Sequence, residues 1–154
     1  MYIASIFHQL EVAIRSLDHL LDYIDEEDLC IRPTENKHSV GELLTHIVLI
    51  CKADAHIADG ASETFMTTFH SQYKLTSIND FKQHLQTNFH DLQQQYLHLS
   101  ETQLQQLTTS YWGVTYSKYE WLLEILVHVY HHCGQLHAIL THCLKKDIAV
   151  PLFE

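Results

Sequence analysis

Glycine and proline are scarce in this sequence of 154 residues. It contains 4 glycines and 2 prolines, and Pro33 and Pro151 both lie outside the long periodic stretches. Proline interrupts a helix because it lacks an amide hydrogen and clashes with the preceding turn. The sequence is therefore free to form long uninterrupted helices.

Basic residues are also few, and this scarcity excludes one class of partner. Nine lysines and arginines stand against 19 aspartates and glutamates, which gives a formal net charge of -10 with histidine neutral. Nucleic-acid binding depends on clusters of lysine and arginine that neutralise phosphates. No such cluster occurs, so we predict that nucleic acid is not a partner. The acidic group Asp25–Asp28 lacks the alternating spacing of a calcium loop and is interpreted as a solvated loop.

The cysteines and the N-terminus favour a cytoplasmic protein with reduced thiols. The four cysteines are dispersed and form no C-x-x-C pair, and no secretion signal is recognisable at the N-terminus. The stretch Ile125–Leu144 has no acidic or basic residue, but its five histidines and Gln135 argue against a membrane span. We therefore predict no membrane association.

Apolar residues recur at three- and four-residue spacing, which is the helical period, in four stretches. These predicted helices run roughly over Ile3–Ile24, Val40–Ile57, Ile78–Leu99 and Lys118–Leu144. The second and fourth begin with the S-x-x-E pattern of a capping box, in which a serine and a glutamate satisfy free amide groups. No strand is predicted.

Four long amphipathic helices predict an all-α fold, a four-helix bundle formed by a single domain over residues 1–154. Ser100-Glu101-Thr102-Gln103 predicts a short extra helix before the last long helix. The aromatic pair Tyr111-Trp112, which follows it, is expected to belong to the core, with a pocket lid or a dimer contact as the alternatives. Bundles of this kind build metal sites from side chains that project inward from facing helices.

Three histidines fall on the predicted inward faces of two helices. His128 and His132 are four residues apart, and residues at that spacing lie on the same face of a helix. In the second helix, His46 lies between Leu43 and Ile50 at helical spacing. Two imidazoles from one helix and a third from a facing helix can bind a divalent metal and leave a coordination position open, as catalytic zinc centres do.

From the spacing alone, the alternative to a metal site is that the three histidines are ordinary residues of the core. A single histidine on an apolar face is often a hydrogen-bonded core residue, and with 14 histidines a pair four residues apart is expected by chance. In a metal site, each ligand needs an acceptor for its remaining ring N–H group. The candidates for these acceptors are Glu42, Glu124 and Gln135.

Two blocks of the sequence resemble the DinB/YfiT-like family of metal-binding four-helix bundles. The first is Arg32-Pro33 followed by Ser39–Ile47, which is similar to the family's segment leading into its first ligand. The second is Val114–Glu120 followed by Leu126–Leu136, which carries the H-x-x-x-H-x-G-Q pattern of the family's last helix. The order and spacing of these blocks agree with the family over nearly the whole chain.

The resemblance implies that His46, His128 and His132 are ligands of a divalent ion. Zinc or nickel is expected first, with iron, copper or manganese as less favoured ions. Some family members resemble transferases of low-molecular-weight thiols, and others are described as hydrolases. The resemblance also implies a small-molecule substrate and pairing into a homodimer. Cys133 stands where family members often have arginine, and it is expected to be an inert buried thiol, with a reactive thiol as the second interpretation.

The leading hypothesis from these expectations is a metal-dependent enzyme that transfers a low-molecular-weight thiol to an electrophile. A divalent ion held by three neutral imidazoles keeps its charge and can hold a thiol as thiolate, the nucleophilic form. The same ion could activate water for amide or ester hydrolysis, although the H-E-x-x-H motif of zinc proteases is absent because Val129 follows His128. The sequence is also compatible with a non-catalytic, stress-related protein that binds a metal or a ligand, and with a purely structural bundle.

Overall fold

The computed structural model describes residues 2–153, which form six α-helices, a two-stranded hairpin and two short helical turns. The helices are α1 (Tyr2–Leu21), α2 (Val40–Ala58), α3 (Glu63–Ser71), α4 (Ile78–Leu97), α5 (Glu101–Leu104) and α6 (Lys118–Ala138). The strands are β1 (Leu107–Thr109) and β2 (Thr115–Ser117). A 3-10 turn covers Glu26–Cys30, and a π-helical turn, Ile139–Cys143, continues α6.

The four long helices form the predicted all-α bundle. Helix α2 packs against α4 and α6, and α1 packs against the same two helices from the opposite side. Their inward faces supply one continuous apolar core, in which Trp121, Tyr96 and Phe81 are the largest fully buried side chains. Because α2 and α6 are direct neighbours, side chains from both can meet at one point.

Both predicted capping boxes are confirmed. At the start of α2, the Glu42 amide donates to Ser39 Oγ at 3.2 Å, and the Ser39 amide donates to Glu42 Oε2 at 2.8 Å. At the start of α6, Ser117 and Glu120 make the same two bonds at 3.2 and 3.0 Å. These bonds satisfy amides that have no partner within the helix, and they fix the residue at which each helix begins.

Replacing Ser117 with alanine is expected to lower the free energy of unfolding by about 1 kcal/mol, because the amide of Glu120 loses its side-chain acceptor. Urea unfolding followed by circular dichroism measures this loss. Ser5→Ala is the matched control, since Ser5 is exposed within α1, and a change of less than about 0.5 kcal/mol is expected there. Equal losses in both variants would contradict the role of the cap.

The structure corrects several boundaries predicted from the sequence. Helix α1 ends at Leu21 instead of Ile24, and α4 ends at Leu97 instead of Leu99. The last helix reaches Ala138 as an α-helix, and the rest of its predicted length is the π-helical turn. The short helix predicted from Ser100 is confirmed as α5, whereas α3 was not predicted.

The prediction of no strand is wrong, because β1 and β2 form an antiparallel hairpin in which Thr109 faces Thr115. The expectation that Tyr111 and Trp112 belong to the core is also wrong. They lie in the hairpin loop and are 48% and 51% exposed. The hairpin is attached to the bundle by Trp121, whose Nε1 donates to the carbonyl of Thr108 at 3.3 Å.

None of the helices within residues 2–153 combines the length and the apolar character needed to cross a membrane. The stretch Ile125–Leu144, which begins within α6, has no aspartate, glutamate, lysine or arginine, but it contains five histidines. This agrees with the interpretation that the stretch Ile125–Leu144 is not a membrane span.

Candidate metal centre

The three histidines singled out by the sequence meet between α2 and α6. His46 Nε2 lies 3.3 Å from His128 Nε2 and 3.1 Å from His132 Nε2. A ring nitrogen from each of the three residues lies within 4.8 Å of the other two. The rings come together because His128 and His132 are one turn apart on α6 and face His46 across the contact between the two helices.

Two of the three rings are oriented by a hydrogen bond at the opposite nitrogen. His128 Nδ1 lies 2.7 Å from Asp54 Oδ2, and His132 Nδ1 lies 2.7 Å from Gln135 Oε1. Both oxygens accept hydrogen bonds, so each Nδ1 carries the proton and donates it. The Nε2 atom of each neutral ring then presents a lone pair to the centre of the cluster.

The sequence identified one of these two orienting groups. Gln135 was among the candidate acceptors and is confirmed. Glu42 was also a candidate, but its carboxylate is bound by the guanidinium of Arg32 at 2.8 Å and by the amide of Ser39 at 2.8 Å. Asp54 was missed, although a carboxylate within the apolar run of α2 is itself a signal, because a buried charge requires a partner.

The surroundings hold His46 and His132 in the neutral form. Burial, together with repulsion from His132, His128, His70 and His38, lowers the pKa of His46 to about 4. Burial likewise lowers the pKa of His132. At neutral pH both rings are therefore uncharged and able to donate a lone pair.

His128 differs because it is paired with a carboxylate. Its hydrogen bond to Asp54 raises its pKa above the usual value, against the opposing effect of burial. The carboxylate of Glu124, which lies within 4.8 Å of ligand atoms of both Asp54 and His128, adds an attraction of the same sign. Burial raises the pKa of Glu124 itself. The cluster therefore has an acidic side formed by two carboxylates.

Cys133 directly follows the last histidine of the cluster on α6. The side chain is buried, and burial raises its pKa to about 11. Since the thiolate is the reactive form, this shift disfavours a reactive Cys133 at neutral pH. This agrees with the interpretation favoured from the sequence.

The remaining histidines lie around the cluster or far from it. His131 is exposed, and its ring centroid lies 4.8 Å from that of His132. His70, in the last turn of α3, is close enough to contribute to the electrostatics of His46. Six further histidines are exposed or half-buried: His8, His19, His70, His84, His90 and His98.

The donor set fits a divalent metal ion. Tetrahedral zinc with bonds of about 2.0–2.1 Å to nitrogen places its ligand atoms about 3.3 Å apart, and the two nitrogen separations from His46 are 3.1 and 3.3 Å. Imidazole nitrogens also suit nickel, copper and iron. The three histidines could therefore hold one ion without a large rearrangement.

Comparison with known proteins gives one family and several similar structures. A family model described as the DinB superfamily matches residues 9–136. The solved structure of a DinB-family protein from Exiguobacterium sibiricum 255-15 is 33% identical, with a TM-score of 0.86, and the match covers 97% of this chain and 96% of that one. No curated protein matches the sequence at a significant level.

Two more distant structures share the fold. A DinB-like protein from Bacillus cereus ATCC 10987 is 18% identical with a TM-score of 0.73, and the match covers 98% of both chains. A mycothiol-dependent maleylpyruvate isomerase is 13% identical with a TM-score of 0.68. The latter match covers 86% of this chain but 60% of the isomerase.

Proposed function

This chain belongs to the DinB superfamily, and on that basis we propose that it is a metal-dependent enzyme that transfers a low-molecular-weight thiol to a small electrophile. The observation that carries the proposal is the convergence of the Nε2 atoms of His46, His128 and His132. We propose these three residues as the ligands of one divalent ion, with zinc or nickel as the first candidates.

The chain's own residues prepare this site. Asp54 and Gln135 fix the rings of His128 and His132 so that both lone pairs point to the centre. Burial keeps His46 neutral at physiological pH. A divalent ion bound to neutral imidazoles supplies a positive centre that stabilises a thiol as its thiolate. The three histidines thus serve as neutral ligands, and Asp54 and Gln135 orient two of them.

Thiol transfer is favoured by one of the structural relatives. The mycothiol-dependent maleylpyruvate isomerase is, by its description, an enzyme that requires a low-molecular-weight thiol. At 13% identity this likeness supports the fold alone, so the use of a thiol by this chain is our proposal.

The two carboxylates beside His128 favour hydrolysis as a second candidate. Hydrolysis requires a general base within reach of the activated water. Glu124 lies within 4.8 Å of ligand atoms of His128 and Asp54, and burial raises its pKa, which makes its carboxylate a stronger base. In this second proposal, Glu124 takes the role of the base that the missing H-E-x-x-H motif would otherwise supply.

A panel of thiols and electrophiles separates these possibilities. Protein loaded with zinc or nickel is incubated with cysteine or glutathione and 1-chloro-2,4-dinitrobenzene, and in parallel with nitrophenyl esters. Thiol-dependent turnover that disappears after chelation and returns with metal supports the proposal. Ester cleavage without thiol supports hydrolysis, and stoichiometric binding without turnover of any substrate supports a non-catalytic binding protein.

Replacing Asp54 with asparagine is expected to weaken metal binding by about 10- to 100-fold. The neutral amide cannot make the charge-assisted bond that orients His128. Competition with a chromogenic chelator measures the affinity. In the metal-free protein, nuclear magnetic resonance should also show a lower pKa for His128, because the carboxylate that raises it is gone.

Asp91→Asn is the matched control for this substitution, since Asp91 is an exposed carboxylate on α4. It should change neither the metal affinity nor the pKa of His128. An unchanged affinity in Asp54→Asn would show that Asp54 does not position the ligand.

A further inference from the structure

A cavity of about 620 Å³ lies beside the histidine cluster, between the segment that precedes α2 and the π-helical end of α6. Its volume is within the range of about 300–1,000 Å³ typical of small-molecule sites. Most of its wall is apolar, formed by Pro33, Leu43, Ala138 and Ile139. An apolar wall with a few polar groups is the usual character of a site for a small organic ligand.

Gln135 connects this cavity to the histidine cluster. Its side chain lines the cavity, and its Oε1 accepts the hydrogen bond from His132 Nδ1 at 2.7 Å. A ligand in the cavity is therefore separated from a proposed metal ligand by one side chain. Leu43, on the opposite wall, lies one turn before His46 on α2.

The cavity is lined by three basic residues and by the neutral polar residues Thr34 and Gln135. Lys37, His38 and His142 line it, and none of its lining residues is acidic, although the chain carries a net charge of -10. Lys37 makes no ion pair with any residue in the described range 2–153, in contrast to Arg32, Lys82, Lys118 and Lys146. Its ammonium group is thus available to an anion from outside the chain.

The backbone that carries Lys37 is fixed. Arg32 Nη1 donates to the carbonyl of Lys37 at 2.5 Å, and the Lys37 amide donates to the carbonyl of Thr34 at 3.2 Å. Asn36 has a φ of 62°, a left-handed conformation that asparagine tolerates better than most residues. Across the cavity from Lys37 lies the π-helical turn Ile139–Cys143. Such turns occur frequently at functional sites.

From this arrangement we infer that the cavity is the subsite for the electrophilic substrate, and that the substrate is a small organic carboxylate with an apolar body. The carboxylate binds Lys37 and His142, and the apolar part lies against Leu43 and Ile139, beside Gln135, the residue that contacts His132. The identification of the occupant as the substrate rests on the proposed function. The preference for an apolar carboxylate rests on the cavity alone.

Cys143 provides a reporter for occupancy, because its exposed thiol lines the cavity. The full-length protein, free of metal, is treated with iodoacetamide at increasing concentrations of 4-phenylbutyrate. Mass spectrometry then gives the alkylation rates of Cys143 and of Cys30, an exposed thiol outside this cavity. The concentration that halves the rate at Cys143 gives the dissociation constant, whatever the intrinsic reactivity of the thiol.

We expect 4-phenylbutyrate to protect Cys143 but not Cys30, and the neutral 4-phenylbutyramide to protect about tenfold less well. Lys37→Gln should weaken protection by about tenfold and His142→Gln by a smaller factor. Lys52→Gln is the control for loss of one positive charge, since Lys52 lies on α2 outside this cavity, and it should change protection less than twofold.

The inference is overturned if Cys143 is not protected, if the amide protects as well as the carboxylate, or if Lys37→Gln has no more effect than Lys52→Gln. Because the experiment uses metal-free protein, direct binding of the carboxylate to a metal cannot produce the result. Protection without any thiol transfer in the panel would contradict the proposed function and leave the carboxylate site standing. Transfer without protection would contradict the inference alone.

Discussion

Replacing His128 with alanine is expected to reduce bound metal from about one ion per chain to less than about 0.1, as measured by elemental analysis. Three ligands from two helices hold the ion in our account, and two imidazoles do not form an equivalent site. Thiol transfer should fall by about 10³-fold in kcat/KM, equivalent to about 4 kcal/mol of transition-state stabilisation.

A second variant, His132→Ala, distinguishes the loss of a metal ligand from a general loss of stability. Removing His128 leaves the buried carboxylate of Asp54 without its partner, which itself destabilises the fold. His132→Ala avoids this effect, because its partner Gln135 is exposed and neutral. Both variants should lose metal and activity, and circular dichroism should show that His132→Ala retains its helices.

The control is His90→Ala, which removes an exposed imidazole from α4. Metal content and kcat/KM should stay within about twofold of the parent protein. Full metal content in His132→Ala would contradict the proposed ligand set. Full activity in a metal-free variant would contradict metal dependence.

Metal loading is expected to raise the melting temperature by about 8–16 °C. A ligand that binds only the folded state stabilises it by about 4.1 kcal/mol at a free concentration 1,000 times its dissociation constant. For a chain of 154 residues, each kcal/mol corresponds to about 2–4 °C. Differential scanning calorimetry with zinc, nickel or a chelator measures the shift.

Two controls make this shift specific to the histidine cluster. Magnesium should have no comparable effect, because it prefers oxygen ligands and octahedral geometry. In His132→Ala the shift with zinc or nickel should be lost. An equal shift in the parent and the variant would mean that metal stabilises the fold at another site.

The elements predicted correctly from the sequence are the four long helices, in which apolar residues recur with the helical period over many residues. The helical period of α1, α2, α4 and α6 extends over five or six turns, and the two capping boxes mark the starts of α2 and α6. The same periodicity placed His46, His128 and His132 on facing surfaces. A long pattern on a helix fixes the direction of each side chain, which is why the cluster could be predicted before its geometry was known.

Short elements carry too little pattern to be recognised. Helix α3 has nine residues, of which Met66 and Phe69 are buried, so its apolar stripe is two residues long. Each strand of the hairpin has three residues, most of them exposed. The hairpin depends on tertiary contacts, such as the bond from Trp121 to Thr108, that no local sequence pattern reveals.

The missed role of Asp54 has a related cause. Its partner is 74 residues away along the chain, and only the packing of α2 on α6 brings the two together. Glu42 lies one turn from His46, but the capping box and Arg32 occupy its carboxylate. Gln135 was predicted correctly because it and His132 are three residues apart on one helix, where the spacing alone determines contact.

The most direct test of the account is an anomalous-scattering experiment on crystals of the metal-loaded protein, with data collected on both sides of the absorption edge of the metal. We predict one strong peak per chain, within about 2.0–2.2 Å of the Nε2 atoms of His46, His128 and His132. Crystals that contain the metal but show no peak between these three rings would contradict the central claim.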